Sequence, residues 1–276
     1  MPAFRTIEIS DSAFETEGLR HVTVKSAALS GRADLTLWIP PDANGPLPLV
    51  VLLHGVYGSH WAWAWKGGAH RTAAGLTGSG DIVPMVLAMP SDGLWGDGSG
   101  YIKHGSGEDY ERWIMEEVPL AAAEATGGLT NGTPLFLTGL SMGGYGAMRL
   151  GAKHGRRVAG ISAHSSATHF DDLDAIVDED LSLCGTDPAE CSVLEMIRTH
   201  RATLPPLRFD CGSSDVLLPQ NRALHAALEA DGIPHTYEEF SGGHDWPYWQ
   251  AHIADSLRFF SNVARRLPMP PGECAV

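Results

Sequence analysis

Ser141 stands in Gly139-Leu-Ser-Met-Gly143, after the apolar run Leu135–Thr138 and before a helical pattern. In a strand–turn–helix setting, Gly-x-Ser-x-Gly has a chemical meaning: a tight turn lifts the serine hydroxyl above the sheet edge. A larger residue at either glycine would collide with neighbouring backbone. The next amide, that of Met142, opens the helix, where unpaired N–H groups and the helix dipole favour developing negative charge. Gly144 and Gly146 keep that helix narrow where it must lie against its sheet. Ser141 is therefore a candidate nucleophile.

A serine hydroxyl is weakly nucleophilic and needs a general base, which in turn needs an orienting group. In open α/β sheets such groups gather past the C-terminal ends of strands. Gly212-Ser-Ser-Asp215 follows the expected strand 207–211, and Ser241-Gly-Gly-His244 follows the expected strand 235–240. The chain order is thus Ser141, Asp215, His244. Other candidates fit less well. Asp210 lies inside a strand, Asp187 lies in an insertion, and Asp245 reads as the cap of the last helix. His225 falls in a helix, His235 starts a strand, and His252 faces along the final helix.

Acyl transfer also needs donors for an oxyanion. Met142 N–H is one. The loop His54-Gly55-Val56-Tyr57-Gly58, after the run 49–53, offers the other, with Val56 N–H favoured over Tyr57 N–H. Aromatic residues cluster just downstream. Of these, Tyr57, Trp61 and Trp95 are candidate pocket residues, with loop anchoring the other use of such rings.

The elements that must position these groups follow from hydrophobic periodicity. Residues 19–27 and 32–39 alternate as a hairpin, and prolines 40, 41, 46 and 48 form a stiff connector. Runs 49–53, 82–89, 135–138, 158–163, 207–211 and 235–240 read as strands, the fully apolar ones buried on both faces. Helices are expected over 108–126 with a break at Pro119, then over 142–154, 217–231 and 246–267. Segments 59–81 and 91–107 read as long loops over the functional edge, and 164–206 as a small cap of short helices. Strands alternating with helices imply a mainly parallel sheet covered on both faces, in a single domain spanning 1–276.

Taken in order, His54-Gly55-x-x-Gly58, Gly139-Leu-Ser-Met-Gly-Gly-Tyr-Gly146, Cys211-Gly-x-x-Asp215 and Gly243-His244-Asp-Trp246 resemble the esterase D / putative esterase family of α/β-hydrolases. Tyr110-Glu-Arg-Trp-Ile-Met-Glu-Glu-Val-Pro119 is similar to that family's helix before the nucleophile, and the likeness runs over roughly 35–265. It implies the α/β-hydrolase fold, a Ser141–His244–Asp215 triad, and an oxyanion hole of Val56 and Met142 amides. It also implies a serine carboxylesterase of short-chain or small aryl esters, working through an acyl-enzyme. Rivals sharing the triad are an acyltransferase and a feruloyl, acetyl-sugar or S-formylglutathione esterase. S-Formylglutathione hydrolases usually carry a Ser-Gly-Leu-Thr-Cys-like segment where this chain has His54-Gly55-Val56-Tyr57-Gly58. A rival of another class is a catalytically silent binding protein on the same fold.

The bulk numbers narrow the partners. Among 276 residues 43% are apolar and the net charge is −14, which argues against nucleic acid or an anionic membrane as partner. The expected partner is a small-molecule ester, and a homo-oligomer stays open. No run approaches a membrane span, and Met1-Pro-Ala-Phe-Arg-Thr lacks the layout of a secretion signal, so a cytoplasmic location is expected. Cys184, Cys191, Cys211 and Cys274 include no C-x-x-C pair, and spacing leaves a Cys184–Cys191 bridge open. The acidic run 171–180 lacks an EF-hand pattern, and His164 and His169 lack an H-E-x-x-H context. The glycines at 96, 98 and 100 open no helix after a strand. No cofactor and no catalytic metal are expected. Asn131-Gly-Thr matches a glycosylation triplet but reads first as a turn.

Overall fold

The computed structural model describes residues 4–41, 47–130 and 132–267. Pro46, Asn131, Cys274 and the first three residues, which entered the sequence reading, lie outside them. Nine strands form one sheet in the order β1-β2-β3-β5-β4-β6-β7-β8-β9. They are β1 (Ile7–Ile9), β2 (Leu19–Lys25), β3 (Arg32–Trp38), β4 (Leu49–Leu53), β5 (Val86–Pro90), β6 (Leu135–Leu140), β7 (Val158–His164), β8 (Leu207–Gly212) and β9 (Thr236–Phe240). Pairing is antiparallel from β1 to β5 and parallel from β5 through β9.

All five residues of β4 are buried because the sheet is covered on both sides. Side chains alternate across the pleat: Leu49, Val51 and Leu53 join one apolar cluster, while Val50 and Leu52 join the other. Helices α1 (Ala62–Trp65) and α2 (Ala69–Gly78) cover the second face together with α8 (Trp246–Ala264). The first face is covered by α3 (Tyr110–Arg112), α4 (Val118–Thr126), α5 (Met142–Lys153), α6 (Val193–Thr199) and α7 (Leu218–Ala230). Between α3 and α4 the chain makes a π-helical turn over Trp113–Glu117, and Pro119 falls in the first turn of α4, where its missing N–H costs nothing.

Two expectations need correction, and one strand was not foreseen. The strand expected from Ile82 begins only at Val86: Val83 N–H donates to Ser261 Oγ at 2.9 Å, and Pro84 has no N–H for a ladder. Residues 59–81 are not a loop but carry α1 and α2, whose signal was masked by Gly67 and Gly68 between them. The short outer strand β1 was not anticipated, since its burial pattern is that of an exposed edge. By contrast, 91–107 has neither helix nor strand. Residues 165–206 hold four 3₁₀ turns and α6, and Phe170, Leu173 and Leu181 pack into the same apolar cluster as the sheet. Cys184, Cys191 and Cys211 are buried free thiols. Among the described residues no helix is long and apolar enough to cross a membrane.

Candidate active site

Ser141 follows β6 as the N-cap of α5, with φ of 55° and ψ of −121°, a backbone state that L residues avoid and that surrounding structure must enforce. Two close approaches enforce it. A Cβ on Gly139 would enter the Gly143 main chain, and a Cβ on Gly143 would enter the Leu53 carbonyl. Ser141 N–H donates to His164 O at 3.0 Å, which ties the turn to the end of β7.

The structure brings the three expected side chains together from three loops. Ser141 Oγ lies 3.0 Å from His244 Nε2, and His244 Nδ1 lies 3.0 Å from each oxygen of Asp215. An ionised carboxylate only accepts, so the ring hydrogen sits on Nδ1 and the Nε2 lone pair faces the serine hydroxyl. Asp215 also accepts Leu217 N–H at 2.8 Å. Burial alone would raise the Asp215 carboxyl, but these hydrogen bonds outweigh it and hold it below the ordinary carboxylate value. Asp245 caps α8, accepting Tyr248 N–H at 3.1 Å, and so fixes the residue after His244.

Val56 lines the same cavity as Ser141, and Met142 follows Ser141 in the chain. Met142 is the first residue of α5, and the N–H at that position has no intrahelical acceptor. No acceptor among the described residues takes Val56 N–H, whereas Tyr57 N–H reaches Asp97 O at 3.4 Å. His54, buried beneath this loop, accepts Asp92 N–H at Nε2 (3.0 Å), so its Nδ1 carries the hydrogen and donates to Gly55 O at 2.8 Å.

Above Ser141 opens a cavity of about 380 Å³, walled by Val56, Tyr57, Trp61, Leu140, Ile176 and Trp249 among others. Tyr57 and Trp61 stand in that wall. Trp95 does not: it meets His104 edge-on at 4.8 Å and packs on the core away from that cavity. Its place at a strand end gave no information on which side of the loop the ring would fall. Trp246 and Trp249 were the missed wall residues, hidden in the apolar stripe of α8. Trp249 meets His244 edge-on at 5.1 Å, and its buried Nε1–H has no acceptor among the described residues.

A second hydrogen-bonded chain, also missed, lies beneath the first. Ser256 Oγ is 2.7 Å from His164 Nε2, His164 Nδ1 is 3.0 Å from Asp210 Oδ1, and Tyr248 O–H donates to Asp210 at 2.8 Å. His164, Asp210 and Ser256 have no solvent exposure, so this chain cannot meet a substrate. It locks β7 to β8 and α8, and thereby the carbonyl that holds Ser141 N–H. Alternating strand burial carried no hint of it, because polar residues at 164 and 210 look outward-facing in sequence.

Comparison with known proteins gives the family and the fold. Residues 26–260 match the model of the family described as "Putative esterase". The chain is 29% identical over 239 residues to an acetyl esterase of Caldicellulosiruptor saccharolyticus, covering 79% of this chain and 85% of that protein. Among solved structures, a ferulic acid esterase superposes with a TM-score of 0.76 at 22% identity, covering 93% of this chain and 99% of that one. The S-formylglutathione hydrolase FrmB of Staphylococcus aureus superposes with a TM-score of 0.73 at 19% identity, covering 93% and 100%. These neighbours share the α/β-hydrolase fold. The chain is an enzyme, a serine carboxylesterase belonging to the Putative esterase family.

Proposed function

We propose that Ser141, His244 and Asp215 are the nucleophile, general base and orienting carboxylate of this esterase, with Val56 and Met142 amides as the oxyanion hole. The observation that carries this reading is the unbroken Ser141–His244–Asp215 hydrogen-bond chain, each link 3.0 Å. As Ser141 Oγ attacks the ester carbonyl, its proton passes to His244 Nε2 and Asp215 stabilises the imidazolium. The carbonyl oxygen becomes an oxyanion facing the two amides, each such donor lowering the barrier by roughly 3 kcal/mol. His244 returns the proton to the leaving alcohol. It then takes one from water, which hydrolyses the acyl-enzyme.

The substrates proposed are esters of short or small aryl acids. A cavity of about 380 Å³ lies at the small end of ligand sites, and its wall is mainly apolar around the reacting serine. The acetyl esterase and ferulic acid esterase names of similar proteins agree with a small acyl group. Two measurements test the assignment. A fluorophosphonate should label one serine, mapped to Ser141 by mass spectrometry; labelling of another residue would reject it. Across p-nitrophenyl esters, kcat/KM should be highest from acetate to butyrate and fall for octanoate and longer; a maximum at long chains would reject the substrate class.

A further inference from the structure

We propose a zinc-binding site formed by His225, Glu229 and His235, at the sheet edge opposite the catalytic loops. His225 and Glu229 are four residues apart and share one face of α7, while His235 precedes β9. One ligand atom from each of the three lies within 4.8 Å of the others. The two rings meet nitrogen to nitrogen, His225 Nδ1 standing 2.8 Å from His235 Nε2.

The arrangement around these atoms is that of a ligand set. His235 Nδ1 lies 2.8 Å from Ile233 O, so its hydrogen is committed there and Nε2 presents a lone pair. A main-chain acceptor on the second ring nitrogen is the usual partner of a metal-bound histidine. Both rings are held by neighbours: Tyr237 stacks on His225 at 4.8 Å and Phe209 on His235 at 5.7 Å. The nearby guanidinium of Arg222 is paired with Glu239 at 2.7 Å, so its charge is balanced. Two imidazoles with one carboxylate suit zinc rather than magnesium or calcium, which take oxygen ligands. Zinc bonds of about 2.0–2.1 Å in a tetrahedron need the nitrogens about 3.3 Å apart, a half-ångström opening that side-chain rotation supplies. Binding through His225 Nδ1 needs that ring's hydrogen on Nε2 instead, a tautomer change with no net loss of a proton, and water completes the coordination.

The site lies before β9, whereas His244 follows that strand, so zinc here clamps α7 to β9 and touches no reacting atom. The test is calorimetric titration of the full chain with zinc chloride, alongside a His225→Asn/His235→Asn double variant and Glu229→Gln. The unmodified chain should bind one equivalent more than the double variant. At a hundredfold excess over its Kd, zinc should raise Tm by about 5 °C or more, a shift the double variant lacks. Glu229→Gln, altering only an exposed side chain, should weaken binding several-fold. Equal zinc uptake and equal Tm shifts in all three proteins would overturn the proposal, as would no uptake in the unmodified chain.

Discussion

His54 Nδ1 lies 2.8 Å from the carbonyl oxygen of Gly55. That carbonyl belongs to the same peptide unit as Val56 N–H, and in a trans peptide the two groups point in opposite directions. Fixing Gly55 O therefore also fixes the direction of Val56 N–H. Gly58 N–H adds a second bond to the same oxygen at 3.0 Å, and Tyr101 O–H holds His54 O at 3.0 Å. A buried imidazole thus sets the direction of an amide it does not touch.

His54→Phe keeps a ring in that space and removes the hydrogen bond. Its kcat should fall by about 10²-fold, the scale of losing one oxyanion donor, with KM changed little. A rise in KM at unchanged kcat would show that the loop binds substrate rather than the oxyanion.

Trp249→Phe preserves most of the ring against His244 but deletes the buried Nε1–H that faces no acceptor. That N–H has no surface open to the cavity, so the change acts through the ring, which walls the cavity and meets His244 edge-on. A smaller ring loosens the wall around a small acyl group, and KM for p-nitrophenyl acetate should rise about fivefold, the scale of about 1 kcal/mol of lost apolar contact. Unaltered KM and kcat would show that ring size at 249 does not shape the cavity.

Away from the site, Arg149 is fully buried and pairs with Glu111 at 2.9 Å, and His154 and Lys153 also reach that carboxylate. Burial would raise the Glu111 carboxyl, yet the His154 hydrogen bond and the charges of Arg149 and Lys153 hold it well below the carboxylate range. A depressed folded pKa stabilises the fold fully above the unfolded value of about 4.3, and this is lost as pH falls below that value. Glu111→Gln should cost about 3 kcal/mol at pH 7, because it leaves Arg149 incompletely paired. It should also flatten the loss of stability between about pH 5 and 2. Urea unfolding across that range checks both, and an unchanged slope would contradict the sign.

The sequence made legible what depends on local pattern. Leu49–Leu53 could only be a doubly covered strand, and Gly139-x-Ser-x-Gly143 could only turn tightly enough at glycine. Asp215 and His244 could be singled out as candidates because strand ends confine the search to short loops, and the fold brings them into hydrogen-bond reach of each other. What stayed hidden depends on packing across the chain. Whether Trp95 or Trp249 faces the cavity is set by neighbours far away in sequence, and both carry the same side chain. His164, Asp210 and Ser256 lie on three separate elements, so their hydrogen bonds exist only in the fold. The His225–His235 pairing likewise needs the turn through Gly232, at φ of 61°, to bring β9 back beside α7.

If the hydroxyl at position 141 does the chemistry, kcat of Ser141→Ala on p-nitrophenyl acetate reads it out, with folding verified by an unchanged Tm. It should fall by about 10⁴-fold or more. Turnover within tenfold of the unmodified enzyme would contradict it.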